Sequence, residues 1–344
     1  GIQFDDKFQP SGAPAKFTPQ TVVHVGAGEH WYFVYKAADA HGVVVVGGTG
    51  YTVGAAGGWL LGGGHSALSP QYGLGVDNVV QFEIVTPDGK LRIANEYQSK
   101  DLFWALRGGG PGFGVVTKVT YKTYPAITAI STMLFNVTYS NASYHGVLKA
   151  VLSIQPDLGA HNVSGYTYPS ATNLFSALFV ANSGNLTSAN ATFKPVYDFA
   201  QSETKAGRPV NVHLDTLVLP SWFSYFSEDP AKIDDGGGTV AILGSRLFPP
   251  SSFKGSELEA LTNFLVQQPY GPILHLVAEG KVSKVSPSAT AVHPSWRRAL
   301  HHVVLATGWI TNTTFEERNL TRKGLTAATQ GLGKLVPGFG AYVN

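Results

Sequence analysis

Between Tyr51 and Pro125 glycines cluster at Gly54, Gly57, Gly58, Gly62, Gly63 and Gly64, and again at Gly108, Gly109 and Gly110. A residue without Cβ lets backbone amides approach a ligand directly, and runs of amides favour an anion such as phosphate. Such loops best fit an extended phosphate-bearing cofactor, which suggests a dinucleotide. Side chains able to move a proton are scattered elsewhere: Asp215, Glu279, Lys281 and the His301-His302 pair fall in the second part of the chain, and His65 stands inside GGGHS. His275, His293, His301 and His302 lack the spacing of a metal motif such as HExxH, so no metal is expected. With no cysteine there is no thiolate nucleophile, no disulfide framework and no sulfur anchor for a cofactor.

The elements that must position these residues follow from periodicity. Val22 to Val25 reads as a strand, and Trp31, Val34, Tyr35 and Ala38 recur at helical spacing within Glu29 to Ala40. Val43 to Val46 reads as a buried strand. Asn78 to Thr86 alternates, Asp88-Gly89 supplies a turn, and Lys90 to Ala94 completes a hairpin. Ser99 is placed to cap a helix running through Leu106, with Asp101 in its first turn. After Pro125 glycine clusters give way to strand-like runs at Ile130 to Thr138, Thr216 to Leu219, Thr239 to Leu247, Pro272 to Val277 and His301 to Thr307. Helical pieces lie between, at Ala191 to Ser202 and Ser256 to Gln267. The pattern predicts an α+β protein in two domains, 1–127 and 128–344, the second an antiparallel sheet with helices on one side.

Four pieces occur in order: TVG followed by GG; GGGHS with YGL and Asp77-Asn78; DLFWALRGGG from Asp101 to Gly110; and FGVVT from Phe113 to Thr117. In this the chain resembles the berberine-bridge-enzyme-like branch of the vanillyl-alcohol-oxidase family, as do GSRLFP, HPSWRRAL and GAYVN further on. The resemblance implies FAD as cofactor. It implies the C-terminal part of a PCMH-type FAD-binding domain, followed by a substrate domain. It lays FAD along Thr52, Val53, Gly54, Gly57 and Gly58 and along Gly62, Gly63, Gly64, His65 and Ser66. Asp77 and Asn78 would lie along the flavin, mostly through backbone, and Gly114, Val115 and Val116 near its other portion. Arg107 either offsets phosphate charge or complements its helix dipole. Members carry the flavin-linking histidine upstream, so His65 is not that residue. Their second anchor, a cysteine near Gly50 to Tyr51, is absent, which leaves a single histidyl link from outside this chain. Their base is commonly a tyrosine from a C-terminal segment; within this chain Asp215, Glu279, Lys281, His301 and His302 are the substitutes. Val53 matches a position where a small residue leaves room for oxygen. The expected activity is oxidation of an alcohol or carbohydrate C–OH with oxygen, giving hydrogen peroxide. A flavin dehydrogenase using another acceptor and a non-catalytic glycoprotein fragment are the alternatives.

Only 13% of residues are charged and the net charge is +2, which removes the case for nucleic-acid binding. No apolar run approaches the roughly 20 residues that span a bilayer. Sequons at Asn136, Asn141, Asn162, Asn185, Asn190, Asn312 and Asn319, with none earlier, favour a secreted glycoprotein. The start at Gly1 and the stop at Asn344 read as a fragment, with an upstream phosphate-binding loop and a downstream return segment missing.

Overall fold

The computed structural model describes residues 1–181, 191–227 and 240–343. The first part contributes β1 (Ile2–Phe8), β2 (Gln20–Gly26), β3 (Val43–Val44), β4 (Val79–Val85), β5 (Leu91–Asn95), β6 (Val115–Lys122) and β7 (Tyr124–Pro125). Five of them form an antiparallel sheet in the order β1-β2-β6-β4-β5, and β3 pairs with β7. Phe82 and Ile84 alternate into the core from β4, fully buried, and the hairpin register Val85↔Leu91 places Gly89 at φ +75°, where a Cβ would be strained. Only Val43 and Val44 of the expected buried strand join a ladder; Val45 and Val46 are fully buried without one. Ser99 precedes the helix Lys100–Leu106 as expected, but at φ +48° and with no capping bond from its hydroxyl. Asp101 Oδ1 accepts from the Leu102 N–H instead, at 2.8 Å.

The second part contributes β8 (Ile130–Tyr139), β9 (Ser164–Pro169), β10 (Asn173–Ala181), β11 (Val210–Leu219), β12 (Ala241–Phe248), β13 (Gly271–Leu276) and β14 (His301–Gly308). They form one antiparallel sheet ordered β11-β8-β10-β9-β13-β14-β12. Thr239 of the expected strand lies outside the described residues. Helices Tyr144–Ser153, Lys194–Lys205, Gly255–Val266 and Phe315–Leu335 lie on one face, over Met133, Phe135, Leu178, Val303 and Leu305. The opposite face turns Tyr166, Phe179 and Leu247 into a core shared with Trp31, Trp59 and Tyr121 of the first part. The fold is therefore mixed α+β, with helices on one side of the second sheet. Its first hydrophobic core runs across residue 127. Among the described residues no helix is long and apolar enough to cross a membrane.

Candidate functional site

The two glycine clusters meet, because the Gly110 N–H donates to the Leu61 carbonyl at 2.9 Å. Their members differ in what surrounds them. A Cβ built on Gly54, Gly57 or Gly58 would meet no atom within 4 Å, and neighbouring Thr52 and Val53 are exposed. This edge is an open cradle of backbone. Gly62, Gly63 and Gly64 are buried instead. Gly64 sits at φ +71° with a built Cβ 2.9 Å from the Trp59 ring, and Gly63 sits at φ +125° against Val292. Ser66 is fully buried, its hydroxyl accepting from the Leu68 N–H and its own N–H donating to the Ser69 hydroxyl. These residues shape a turn by packing, so the open cradle is narrower than the sequence suggests. Val115 on β6 is 70% exposed and Val116 points into the core, while Gly114 at φ +151° fits tightly against the Val85 carbonyl.

That tight turn carries His65 to the face of the second sheet. The sheet register sets Tyr166 beside His275 and His275 beside His302, one on each of β9, β13 and β14. Residues directly opposite in a ladder share a face, so all three point toward the first part. The ring centroids of His65, His275 and His302 form a near-equilateral triangle with sides of 5.1, 5.4 and 5.0 Å. His302 Nδ1 lies 3.2 Å from His275 Nδ1. His65 Nδ1 and His302 Nε2 are buried without a hydrogen-bond partner. Trp296, Tyr342 and Tyr166 wall the cluster in. Burial lowers His65 to about 4 and pushes His275 and His302 well below the ordinary histidine value, the last two also through their neighbouring imidazoles. All three are neutral at pH 7. Because these folded values lie below 6.5, the unfolded chain binds protons first, and their contribution to stability is complete above pH 6.5 and lost as pH falls through the folded values, about 4 for His65. Urea unfolding should show stability dropping across that window by up to about 1.4 kcal/mol per pH unit for each buried histidine.

Sequence reasoning named His65 and His302 but missed His275 and Tyr166 as their partners. Chain spacing showed no metal motif among the histidines, but strand register brings His275 and His302 together with His65. His301, adjacent to His302, faces the other side of the sheet, bonding Gln155 at 3.0 Å and packing on Phe253. Asp215 occupies the same register row as His302 but five strands away, roughly 24 Å at about 4.8 Å per strand, and pairs with His213 in the open. Glu279 stands at φ +69° beside Gly159 and Leu300, its carboxyl raised by burial and eased by Lys254. Lys281 is exposed on a helical turn packed against Ser69–Tyr72. His293 caps the Ser295 N–H at 3.2 Å.

Three further candidates join the two parts of the chain or brace the turn. Both oxygens of Asp77 accept from Arg297, at 2.7 Å from Nη1 and 2.8 Å from Nη2, with the two side chains 6% and 2% exposed. The same carboxylate accepts from the Leu74 N–H at 2.9 Å. Arg107 lies over the Phe103 ring and donates to the Ala289 carbonyl, so its guanidinium serves the packing. Asn78 donates to the Leu74 carbonyl and accepts from the Tyr124 hydroxyl.

Residues 15–95 match the FAD binding domain family. An uncharacterized FAD-linked oxidoreductase of Arthroderma benhamiae is 37% identical over 366 residues, spanning 100% of this chain and 61% of its own length. The VAO-type flavoprotein MtVAO713 from Myceliophthora thermophila C1 has the same fold, with a TM-score of 0.86 at 24% identity, covering 100% of this chain and 63% of that one. The chain is thus similar over its whole length to fungal FAD-linked oxidoreductases, and it shares the fold of VAO-type and berberine-bridge-enzyme-like flavoproteins. A carbohydrate oxidase from Microdochium nivale shares the fold with a TM-score of 0.69 at 21% identity, over 93% of this chain and 68% of that one. The chain spans roughly three fifths of the length of the curated relatives it matches.

FAD is the cofactor of this domain, and the open edge at Gly54, Gly57 and Gly58 fits it, being backbone that no side chain among the described residues fills. The Gly58→Leu variant tests the cradle cleanly, because Gly58 opens the short helix Gly58–Leu61 and has room for a side chain. Its far-UV circular dichroism and melting temperature should match those of the parent, while bound flavin per protein falls at least about tenfold, the effect of roughly 1.4 kcal/mol. Full occupancy in this variant would place the cofactor elsewhere.

Proposed function

We propose that the intact protein is an FAD-dependent oxidase that converts an alcohol or carbohydrate C–OH to a carbonyl, with oxygen as electron acceptor and hydrogen peroxide as product. The observation that carries this reading is the neutral imidazole cluster of His65, His275 and His302, held between the turn after the glycine cradle and the face of the second sheet. Bound FAD supplies the hydride acceptor. Removing a hydride from a carbinol carbon leaves a hydroxyl proton that is far more acidic than in the alcohol, so a weakly basic imidazole suffices to take it. His302 Nε2, buried and unpartnered, offers that lone pair. The His275-His302 bond fixes which tautomers can coexist, and Trp296 and Tyr342 pack against the cluster.

Carbohydrate oxidation by the fold neighbour from Microdochium nivale supports the substrate class, and the exposed Val53 beside the cradle supports access for oxygen. The full-length flavoprotein is to be mixed anaerobically with alcohols, monosaccharides and oligosaccharides while the flavin absorbance is followed, then exposed to air. Bleaching by one of them, then rapid recovery with stoichiometric peroxide, is expected. Bleaching with slow recovery would favour a dehydrogenase, and no bleaching by any would sink the reading.

Secretion is proposed alongside. Asn141, Asn162 and Asn312 are exposed, and Asn136 is half-buried in β8; Asn185 and Asn190 lie outside the described residues. Peptide mass spectrometry of the protein from its native source should find glycans on Asn141, Asn162 and Asn312. Unmodified asparagine at all three would argue for an intracellular protein.

A further inference from the structure

We propose that His65, His275 and His302 form a binding site for a divalent transition-metal ion of the zinc, cobalt or copper class. Each imidazole offers one ring nitrogen, and these nitrogens all lie within 4.8 Å of one another. A tetrahedral ion with nitrogen ligands at about 2.0–2.1 Å sets adjacent nitrogens about 3.3–3.4 Å apart and ring centroids about 5.2 Å apart. The observed Nδ1 to Nδ1 distance is 3.2 Å, and the centroid separations are 5.0, 5.1 and 5.4 Å. The rings are inclined to one another by 46°, 55° and 73°, as converging ligands are, rather than stacked.

Chemistry agrees with geometry. One of the nitrogens free to ligate, His65 Nδ1, is buried with no hydrogen-bond partner, a costly state that a ligand relieves. All-nitrogen donors favour zinc, copper, nickel or cobalt over magnesium or calcium. Three protein ligands leave a fourth position for water or an oxygen of a bound molecule. Ligation needs neutral imidazole, and the burial that keeps these rings neutral makes proton competition weak well below the usual histidine range. A loaded site takes up the lone pairs that a substrate hydroxyl would use, yet the binding itself is independent of the proposed turnover.

The test uses full-length, tag-free flavoprotein in its oxidised state, treated with chelator, loaded with Zn²⁺ and passed through a desalting column. Plasma emission should find one zinc per chain, with X-ray absorption reporting three imidazole nitrogens. His275→Phe and His302→Phe, which keep ring volume, should each lower zinc affinity at least tenfold and lose retained zinc. His213→Ala, which removes an exposed histidine paired with Asp215, should leave retention unchanged. No retained zinc in the folded parent, or equal retention in both phenylalanine variants, overturns the site. Either result leaves the anaerobic bleaching experiment unaffected, so failure of the metal site and failure of the oxidase reading are separable.

Discussion

The Asp77→Ala variant should lose about 3–5 kcal/mol of stability, because removing one partner strands the Arg297 guanidinium in a site that is almost fully buried. The pair is bidentate, and Arg297 also donates to Thr290 Oγ1 and the Val282 carbonyl, so no rotation brings the orphaned charge to water. Its position raises the stakes. Asp77 follows the turn that carries His65, and Arg297 follows Trp296, which walls the histidine cluster. One ion pair therefore fixes the approach of the cradle to the second sheet. Urea unfolding of Asp77→Ala, Arg297→Met and the double variant Asp77→Leu/Arg297→Met decides the matter. The double variant, with no stranded charge, should recover part of the loss. Equal and additive losses would show that the two side chains act independently.

Much of the fold is legible in the sequence where one physical signal dominates. The hairpin through Asp88-Gly89 and the strand runs at Ile130 and His301 needed only alternation and turn chemistry. β9 and β10 were missed because SGYTYP and NLFSALFVA mix serine, proline and asparagine into their alternation. The helix Phe315–Leu335 was missed for another reason. It is polar over most of its surface, burying only Leu325 and Leu332, and it contains Gly324, Gly331 and Gly333. Those glycines lower helix propensity, yet here they let the helix lie close against Tyr270, Phe264 and Arg246. The signal that could have found it is the capping box from Thr314 to Glu317. The glycine loops announced the flavin domain, but not which glycines are open and which are packed. Gly57 and Gly64 look alike as letters, but Gly64 sits at φ +71° against the Trp59 ring and Gly57 does not. The histidine cluster was the least legible part. A His-His dipeptide in a strand puts one ring on each face, and register alone decides that His302 rather than His301 meets His65.

The His302→Phe variant should slow anaerobic flavin reduction by about 10²–10⁴-fold, the usual range for loss of a proton acceptor, while flavin content and the rate of reoxidation by air stay near those of the parent. Phenylalanine preserves the ring volume among Trp296, Tyr342 and His275, so packing is only lightly perturbed. The pH profile of the parent carries independent information. Burial favours the neutral form and holds His302 well below 6.5, so the reduction rate should be flat from pH 8 down through the ordinary histidine range and fall only well below it. A step in the parent near pH 6.5 would mean that the cluster is hydrated and charged when substrate binds. Unchanged reduction in His302→Phe would move the proton acceptor out of this cluster altogether, and with it the reason for a row of histidine and tyrosine across β9, β13 and β14.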